Sequence, residues 1–228
     1  LTGGGRRPKP GEISLATGGI LFLDEFPEFS RAALETLRQP LEEREVTVSR
    51  VEASVTYPAN FQLVAAMNPC PCGHFPDRSR CRCTDGQITR YLQKVSGPML
   101  DRIDICVEAS PITYGDIRSS GNNESSREIR ARVEQARKIQ GERFAGENIR
   151  CNGEMSGRHI RKFCWLGREE EKFMEEIFKK LALSARMHDR ILKVARTTAD
   201  LAEEEKIRLA DLCEAVSYVK SRDKFWGN

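Results

Sequence analysis

The chain has 228 residues, 39% hydrophobic and 31% charged, and its 37 Lys and Arg against 34 Asp and Glu leave a formal net charge of +3. That length accommodates one large or two modest domains with a sizeable core, while so small a charge does not by itself announce a nucleic-acid partner. The longest apolar runs, such as Ile20-Leu21-Phe22-Leu23, fall far short of the ~18 residues a membrane-crossing helix needs, and no signal-peptide core stands near residue 1, so a cytoplasmic protein with no membrane partner is expected.

The first ten residues, Leu1-Thr2-Gly3-Gly4-Gly5-Arg6-Arg7-Pro8-Lys9-Pro10, have a loop composition and no initiating Met, which reads as a piece of something longer. From there to about Ile117, short apolar runs alternate with helical patterns. A strand is predicted at Ile20 to Leu23, a helix over Ser30 to Glu43, a strand over Phe61 to Met67, a helix over Asp85 to Val95 and a strand over Ile103 to Val107. This alternation predicts an α/β fold, a parallel sheet with helices on its faces. Residues Val46 to Tyr57 alternate apolar and polar about a turn-like centre, which predicts a β-hairpin projecting from the sheet. After the polar linker Arg118 to Asn123, helical periodicity recurs over Glu124 to Gln140, Ser156 to Leu166, Glu169 to Leu183, Ala185 to Glu203 and Leu209 to Lys220. The expected division is a first domain over 1–117 and an all-helical second domain over 118–228.

The strongest chemical signal is Gly18-Gly19-Ile20-Leu21-Phe22-Leu23-Asp24-Glu25. A buried strand ends in adjacent carboxylates at its carboxyl end, where α/β sheets place their ligand sites. In a nucleotide hydrolase the first acid holds Mg²⁺ and the second polarises the attacking water; the plain alternative is a strand that happens to end in Asp-Glu. The next strand ends in Asn68, whose neutral amide can bond a γ-phosphate and a lytic water, although before Pro69 it is also an ordinary turn former. Arg102, flanked by Asp101 and Asp104, is either a surface salt-bridge partner or a guanidinium reaching a neighbouring subunit's phosphates. Arg186 and Arg190 stand one turn apart on one helix face, by default a solvated basic face.

Cys70, Cys72, Cys81 and Cys83 fall within fourteen positions, with His74 between them, and offer enough soft ligands for a tetrahedral Zn²⁺ site. The Cys-x-Cys spacing differs from the commoner knuckle with two to four intervening residues, and the alternative is free thiols or an oxidised pair. Cys106, Cys151, Cys164 and Cys213 sit in apolar or helical contexts that suit small buried residues.

In order along the chain, Gly11 to Ala16, Gly18 to Glu25, Leu41-Glu42-Glu43, Val64 to Pro69, Ser96 to Asp104 and Arg186 to Leu201 resemble AAA+ ATPases of the magnesium-chelatase subunit I/MCM clade, most of all the bacterial ComM/YifB family. The resemblance covers nearly the whole chain. It implies a partial AAA+ parallel αβα sandwich with a β-hairpin insertion, followed by an all-α lid, and ATP and Mg²⁺ as cofactors. It makes Asp24 and Glu25 the Walker B pair with Asp24 on Mg²⁺, Asn68 sensor 1, Arg102 the trans-acting arginine finger, and Arg186 sensor 2, with Arg190 the other candidate for that role. The hairpin matches the clade's pre-sensor-1 hairpin, and Arg50 falls near the tip where related replicative helicases carry a DNA-contacting Lys. The alternative for Arg50 is a charge at an exposed turn.

One departure is decisive. The phosphate-binding loop Gly-x-x-x-x-Gly-Lys-Ser/Thr is absent, and no Gly-Lys dipeptide occurs in the chain. In the family that loop lies upstream, after a Lon-protease-like domain, so the chain resembles the carboxy-terminal portion of such a protein. By itself it is expected to be monomeric and neither to bind ATP tightly nor to hydrolyse it. The resemblance implies that the full protein is a homo-hexameric ring motor on branched or single-stranded DNA, with ComM-like branch migration during uptake of transforming DNA. The stretch Glu124 to Lys162, with ten Lys and Arg against six Glu, is mildly basic, although charge of that size is usually a solvated face. The alternatives are a chelatase-like ATPase remodelling a protein partner, a Lon-associated protease, and a module serving only oligomerisation and the lid.

Overall fold

Gly18 turns the chain into its central strand: its φ of +79° lies where side chains are strained, and its N–H donates to the Asn60 carbonyl at 2.8 Å. The computed structural model describes residues 1–4, 8–49, 54–110, 112, 114–118 and 124–226. They form two compact units, Leu1–Ile103 with the residues from Lys224 onward, and Asp104–Asp223. The fold is mixed α/β with a small parallel sheet and a helical carboxy-terminal region.

In the first unit, a short antiparallel ribbon of β1 (Gly3–Gly4) and β2 (Lys9–Pro10) leads into α1 (Glu12–Leu15) and then β3 (Ile20–Leu23). β3 pairs in parallel with β6 (Gln62–Ala65), Ile20 opposite Gln62 and Leu23 opposite Ala65. Leu21 and Leu23 point into a core with Ile13, Phe26, Leu34 and Met99, whereas Ile20 and Phe22 are 61% and 58% exposed. The strand expected to be buried is therefore covered on one face only, because side chains alternate across a strand and the sheet packs its core on one side.

The helix expected over Ser30 to Glu43 is broken into α2 (Arg31–Glu35) and α3 (Arg38–Glu43). Pro40 explains the break: it has no N–H for the carbonyl of Thr36, and its ring crowds that same carbonyl. The hairpin forms as expected from β4 (Glu45–Ser49) and β5 (Ser54–Pro58), antiparallel, with Thr47 and Thr56 hydroxyls 3.0 Å apart and Val46 and Val48 buried. Arg50, expected near its tip, lies outside the described residues.

α4 (Asp85–Leu92) starts at a capping box in which the Gln87 backbone N–H donates to the Thr84 hydroxyl at 3.3 Å and the Gln87 side-chain oxygen Oε1 accepts from the Thr84 backbone N–H at 2.9 Å. α5 (Gly97–Leu100) is capped by Ser96. The strand expected over Ile103 to Val107 is not formed: residues 103–110 carry no helix or strand, and Ile105 and Val107 are exposed. An alternating pattern becomes a strand only with a ladder partner, and among the described residues this segment has none.

The second unit holds α6 (Tyr114–Arg118), α7 (Ser126–Arg143), α8 (Gly157–Phe163), α9 (Arg168–Lys180), α10 (Ala185–Leu201) and most of α11 (Leu209–Trp226). Its core joins Phe144, Ile160, Met174, Ile191 and Leu212 among others. At its centre Asp200, fully buried, accepts from Arg143, from Arg196 at 3.1 Å and from Asn152 at 2.7 Å. No helix among the described residues is long and apolar enough to cross a membrane.

Candidate functional site

Parallel pairing sends β3 and β6 to the same sheet edge, so Asp24-Glu25 and Asn68 emerge side by side. The ladder continues past the strands: Ala66 N–H donates to the Leu23 carbonyl at 2.9 Å and Phe26 N–H to the Ala66 carbonyl at 3.0 Å. Phe26 and Pro27 are buried and anchor the turn, while Asp24, Glu25 and Asn68 remain exposed. Glu25 is held in the left-handed region, φ 50° and ψ 43°, and its N–H donates to Asp24 Oδ1 at 2.8 Å. A non-glycine residue in that region costs on the order of 1 kcal/mol and persists only where its surroundings enforce it. Two exposed carboxylates oriented by one backbone turn are the oxygen donors a hard divalent cation takes.

Tyr91 of α4 lies near this edge, and no sequence motif marked it. It is buried, and the Asn68 backbone N–H lies on the side of its hydroxyl and favours the phenolate. Burial, then the nearby charges of Glu28, Cys70 and Glu25, push the phenol above its ordinary value, against the pull of that N–H. The only hint in the sequence is the apolar stripe Ile88, Tyr91, Leu92, which places the ring in a core without saying what its hydroxyl touches.

Arg102 sits at the carboxyl end of α5 with its guanidinium largely turned inward. Nη2 pairs with Glu42 Oε1 at 2.6 Å, and Nε donates to the Arg38 carbonyl at 3.2 Å. Below it Glu35 bridges Ser96 and Arg38, and the Ser96 hydroxyl, followed by Arg38, holds that carboxyl below its usual range. In the second unit Arg186 is exposed in the first turn of α10, and Arg190 pairs with Asp104 at 2.6 Å. Within Glu124 to Lys162, several of the basic side chains are spoken for: Arg132 by Glu124, Arg143 by Asp200, and Arg158 and Lys162 by Glu147.

All eight cysteines are free thiols. Cys70, Cys72, Cys81 and Cys83 bring their sulfurs within 4.8 Å of one another, a grouping able to hold a metal ion. His74 enters through its backbone N–H, which, ahead of that of Arg82, draws the Cys72 thiol down to about 6, while desolvation and the Cys72 thiol beside it push Cys83 up to about 11. Burial pushes Cys164 up to about 12, as befits an inert core thiol.

A family model described as magnesium chelatase, subunit ChlI, matches residues 1–117. The chain belongs to the magnesium chelatase subunit ChlI family. A second model, of the subunit ChlI carboxy-terminal region, matches residues 123–219. The competence protein ComM of Haemophilus influenzae is 47% identical to this ChlI-family chain over 219 residues, 96% of the chain and 42% of ComM. YifB proteins of Salmonella typhimurium and Escherichia coli are 45% and 46% identical over 220 residues, again covering 96% of the chain and 42% of each relative. The chain thus spans less than half the length of the curated relatives it matches. These likenesses place it among AAA+ ATPases of the magnesium-chelatase clade, with ComM and YifB as close relatives.

Proposed function

We propose that this ChlI-family chain contributes the hydrolytic edge and the lid of an ATP-driven AAA+ ring motor, a cytoplasmic homo-hexamer that moves branched DNA. The supporting observation is the parallel register of β3 and β6, which sets Asp24, Glu25 and Asn68 on one edge. Bound with ATP, Mg²⁺ neutralises charge on the phosphates, and the exposed Asp24 carboxylate is the ligand that would hold it. Glu25, fixed by its left-handed turn, polarises the attacking water, and the Asn68 amide orients it. Arg102 acts on a neighbouring subunit's nucleotide after exchanging Glu42 for phosphate, and Arg186, with Arg190 beside it, closes from the lid. Residues 1–117 serve as the latter part of the ATPase core and 118–228 as the lid. The phosphate-binding loop, absent from these 228 residues, is supplied by another segment of the polypeptide.

The DNA substrate is supported by the 47% identity to a protein named for competence and by Arg50, which in the sequence directly follows the first hairpin strand, where a basic side chain suits sequence-independent backbone contact. The family-model descriptions favour a second reading, a chelatase-like ATPase that remodels a protein partner and needs no DNA. Unwinding of forked DNA by the protein containing this chain separates the two. ATP-dependent unwinding that weakens in Arg50→Ala, with a shallower salt dependence, supports the motor on DNA. No unwinding, or unwinding indifferent to Arg50→Ala, overturns it.

A further inference from the structure

Between the end of β6 at Ala65 and the start of α4 at Asp85, residues 66–84 form no helix or strand. Irregular segments of that length are uncommon in compact domains unless functional or held by something other than a ladder. The local core is small: Cys70, Ile88, Tyr91 and Leu92 are its buried members. What converges inside the loop is sulfur. Cys70 Sγ lies 3.4 Å from Cys72 Sγ and 3.8 Å from Cys81 Sγ, and Cys72 Sγ lies 3.6 Å from Cys81 Sγ. A tetrahedral ion with Zn–S bonds of about 2.3 Å sets each sulfur–sulfur edge at about 3.8 Å.

We propose that Cys70, Cys72, Cys81 and Cys83 bind one Zn²⁺ as a tetrahedral four-thiolate site that braces the loop carrying Asn68. Four soft donors with no carboxylate among them select zinc over Mg²⁺ or Ca²⁺. The surroundings are those of a thiolate site. Phe75 N–H donates to Cys70 Sγ at 3.4 Å, an outer-shell hydrogen bond of the kind that orients ligands. Each thiol releases its proton to solvent on binding, and the same loop carries Arg78, Arg80 and Arg82, opposite in sign to four thiolates on one Zn²⁺. Arg78 spans the knuckle: it donates to the Cys83 carbonyl at 3.2 Å, lies over the Phe75 ring at 5.1 Å and pairs with Asp85 in the first turn of α4.

The turn runs close to Asn68. Gly73 takes a φ of +78°, and a Cβ built there would come within 3.7 Å of Asn68 Oδ1. The turn closed by the Gly73 N–H on the Cys70 carbonyl at 3.0 Å thus runs beside the Asn68 side chain, which follows the end of β6 by three residues. The positioning role rests on the ATPase reading of Asn68; the zinc site itself does not.

Metal analysis of the protein purified without added zinc tests the site. About one equivalent of zinc is expected, together with the charge-transfer and tetrahedral bands of a thiolate-bound ion after exchange with Co²⁺. Cys72→Ser and Cys83→Ser, at an exposed and a half-buried position, should each fall below about half an equivalent while keeping wild-type circular dichroism, and Cys213→Ser, on α11, should keep its zinc. Folded wild-type protein with less than about half an equivalent, or full zinc retention in the Cys72→Ser, Cys83→Ser double variant, overturns the site. Zinc-free protein with Glu25-dependent ATP turnover removes the zinc site alone, whereas zinc-loaded protein without such turnover removes the ATPase reading alone. If the site positions Asn68, zinc removal and Asn68→Ala lower kcat non-additively; independent, additive losses overturn that role.

Discussion

The guanidinium of Arg102 is paired with the carboxylate of Glu42 at 2.6 Å, and its Nε is bonded to the carbonyl of Arg38 at 3.2 Å. An arginine held this way is preshaped by α3 and α5 and reaches a neighbouring nucleotide only by trading one anion for another. In the assembled protein, Arg102→Ala should lower ATP turnover by on the order of 10³-fold, the low end for a supplied arginine finger. On the proposal that Arg102 acts in trans, mixing Arg102→Ala with Glu25→Gln subunits should restore part of the activity. Equal inactivity of the mixture and of each variant alone would place Arg102 within its own subunit's structure instead.

Asp200 organises the interior of the helical unit. It is fully buried between Arg143 and Arg196, with Asn152 donating as well. Asp200→Ala leaves two guanidinium groups without their anion in a low-dielectric interior, which costs about 3–5 kcal/mol. Chemical denaturation should show the midpoint falling steeply, with Asp200→Asn in between. An unchanged midpoint would mean that the cluster is solvated.

Glu35 makes one contribution to stability depend on pH. The Ser96 hydroxyl at 2.5 Å, followed by Arg38, holds its carboxyl below the ordinary 4.5. A depressed acid stabilises the fold fully above its unfolded value and loses that effect as the pH falls through its folded value. The stability gap between wild type and Glu35→Gln, about 1 kcal/mol or less for a partly exposed group, should therefore be widest above pH 4.5 and close below it. Urea titrations across acid pH would reveal it, and a gap of constant size would contradict the assignment.

Tyr91→Phe keeps the ring in its core and removes the hydroxyl that the Asn68 N–H faces. The expected cost is about 1 kcal/mol, the net worth of one hydrogen bond, read as a lowered thermal midpoint together with a reduced kcat. Wild-type kcat in this variant would show that Asn68 is placed without it.

Much of this was legible in the residues themselves. The run Ile20 to Glu25, the hairpin and the helices of the second unit follow from periodicity, and the structure starts two of those helices at Ser125 and Ser184 caps. What periodicity does not carry is partnership. Ile103, Ile105 and Val107 alternate as a strand would, yet a strand needs a ladder beside it, and here that segment stays irregular. Pro40 broke a helix that the apolar spacing alone made continuous. Arg143 lay in the stretch read as a solvated face because its partner, Asp200, lies far along the chain and is buried only by packing. The four cysteines were visible as a group, but their convergence depends on the turn at Gly73.

The most direct measurement is steady-state ATP hydrolysis by the protein containing this chain, comparing wild type with Glu25→Gln at matched ATP binding. Loss of turnover by about 10²–10⁴-fold with binding retained is expected of a residue that polarises the attacking water, and the 228-residue chain alone should show no turnover above its own Glu25→Gln control. Hydrolysis by Glu25→Gln at the wild-type rate would contradict the assignment of this sheet edge as the hydrolytic site.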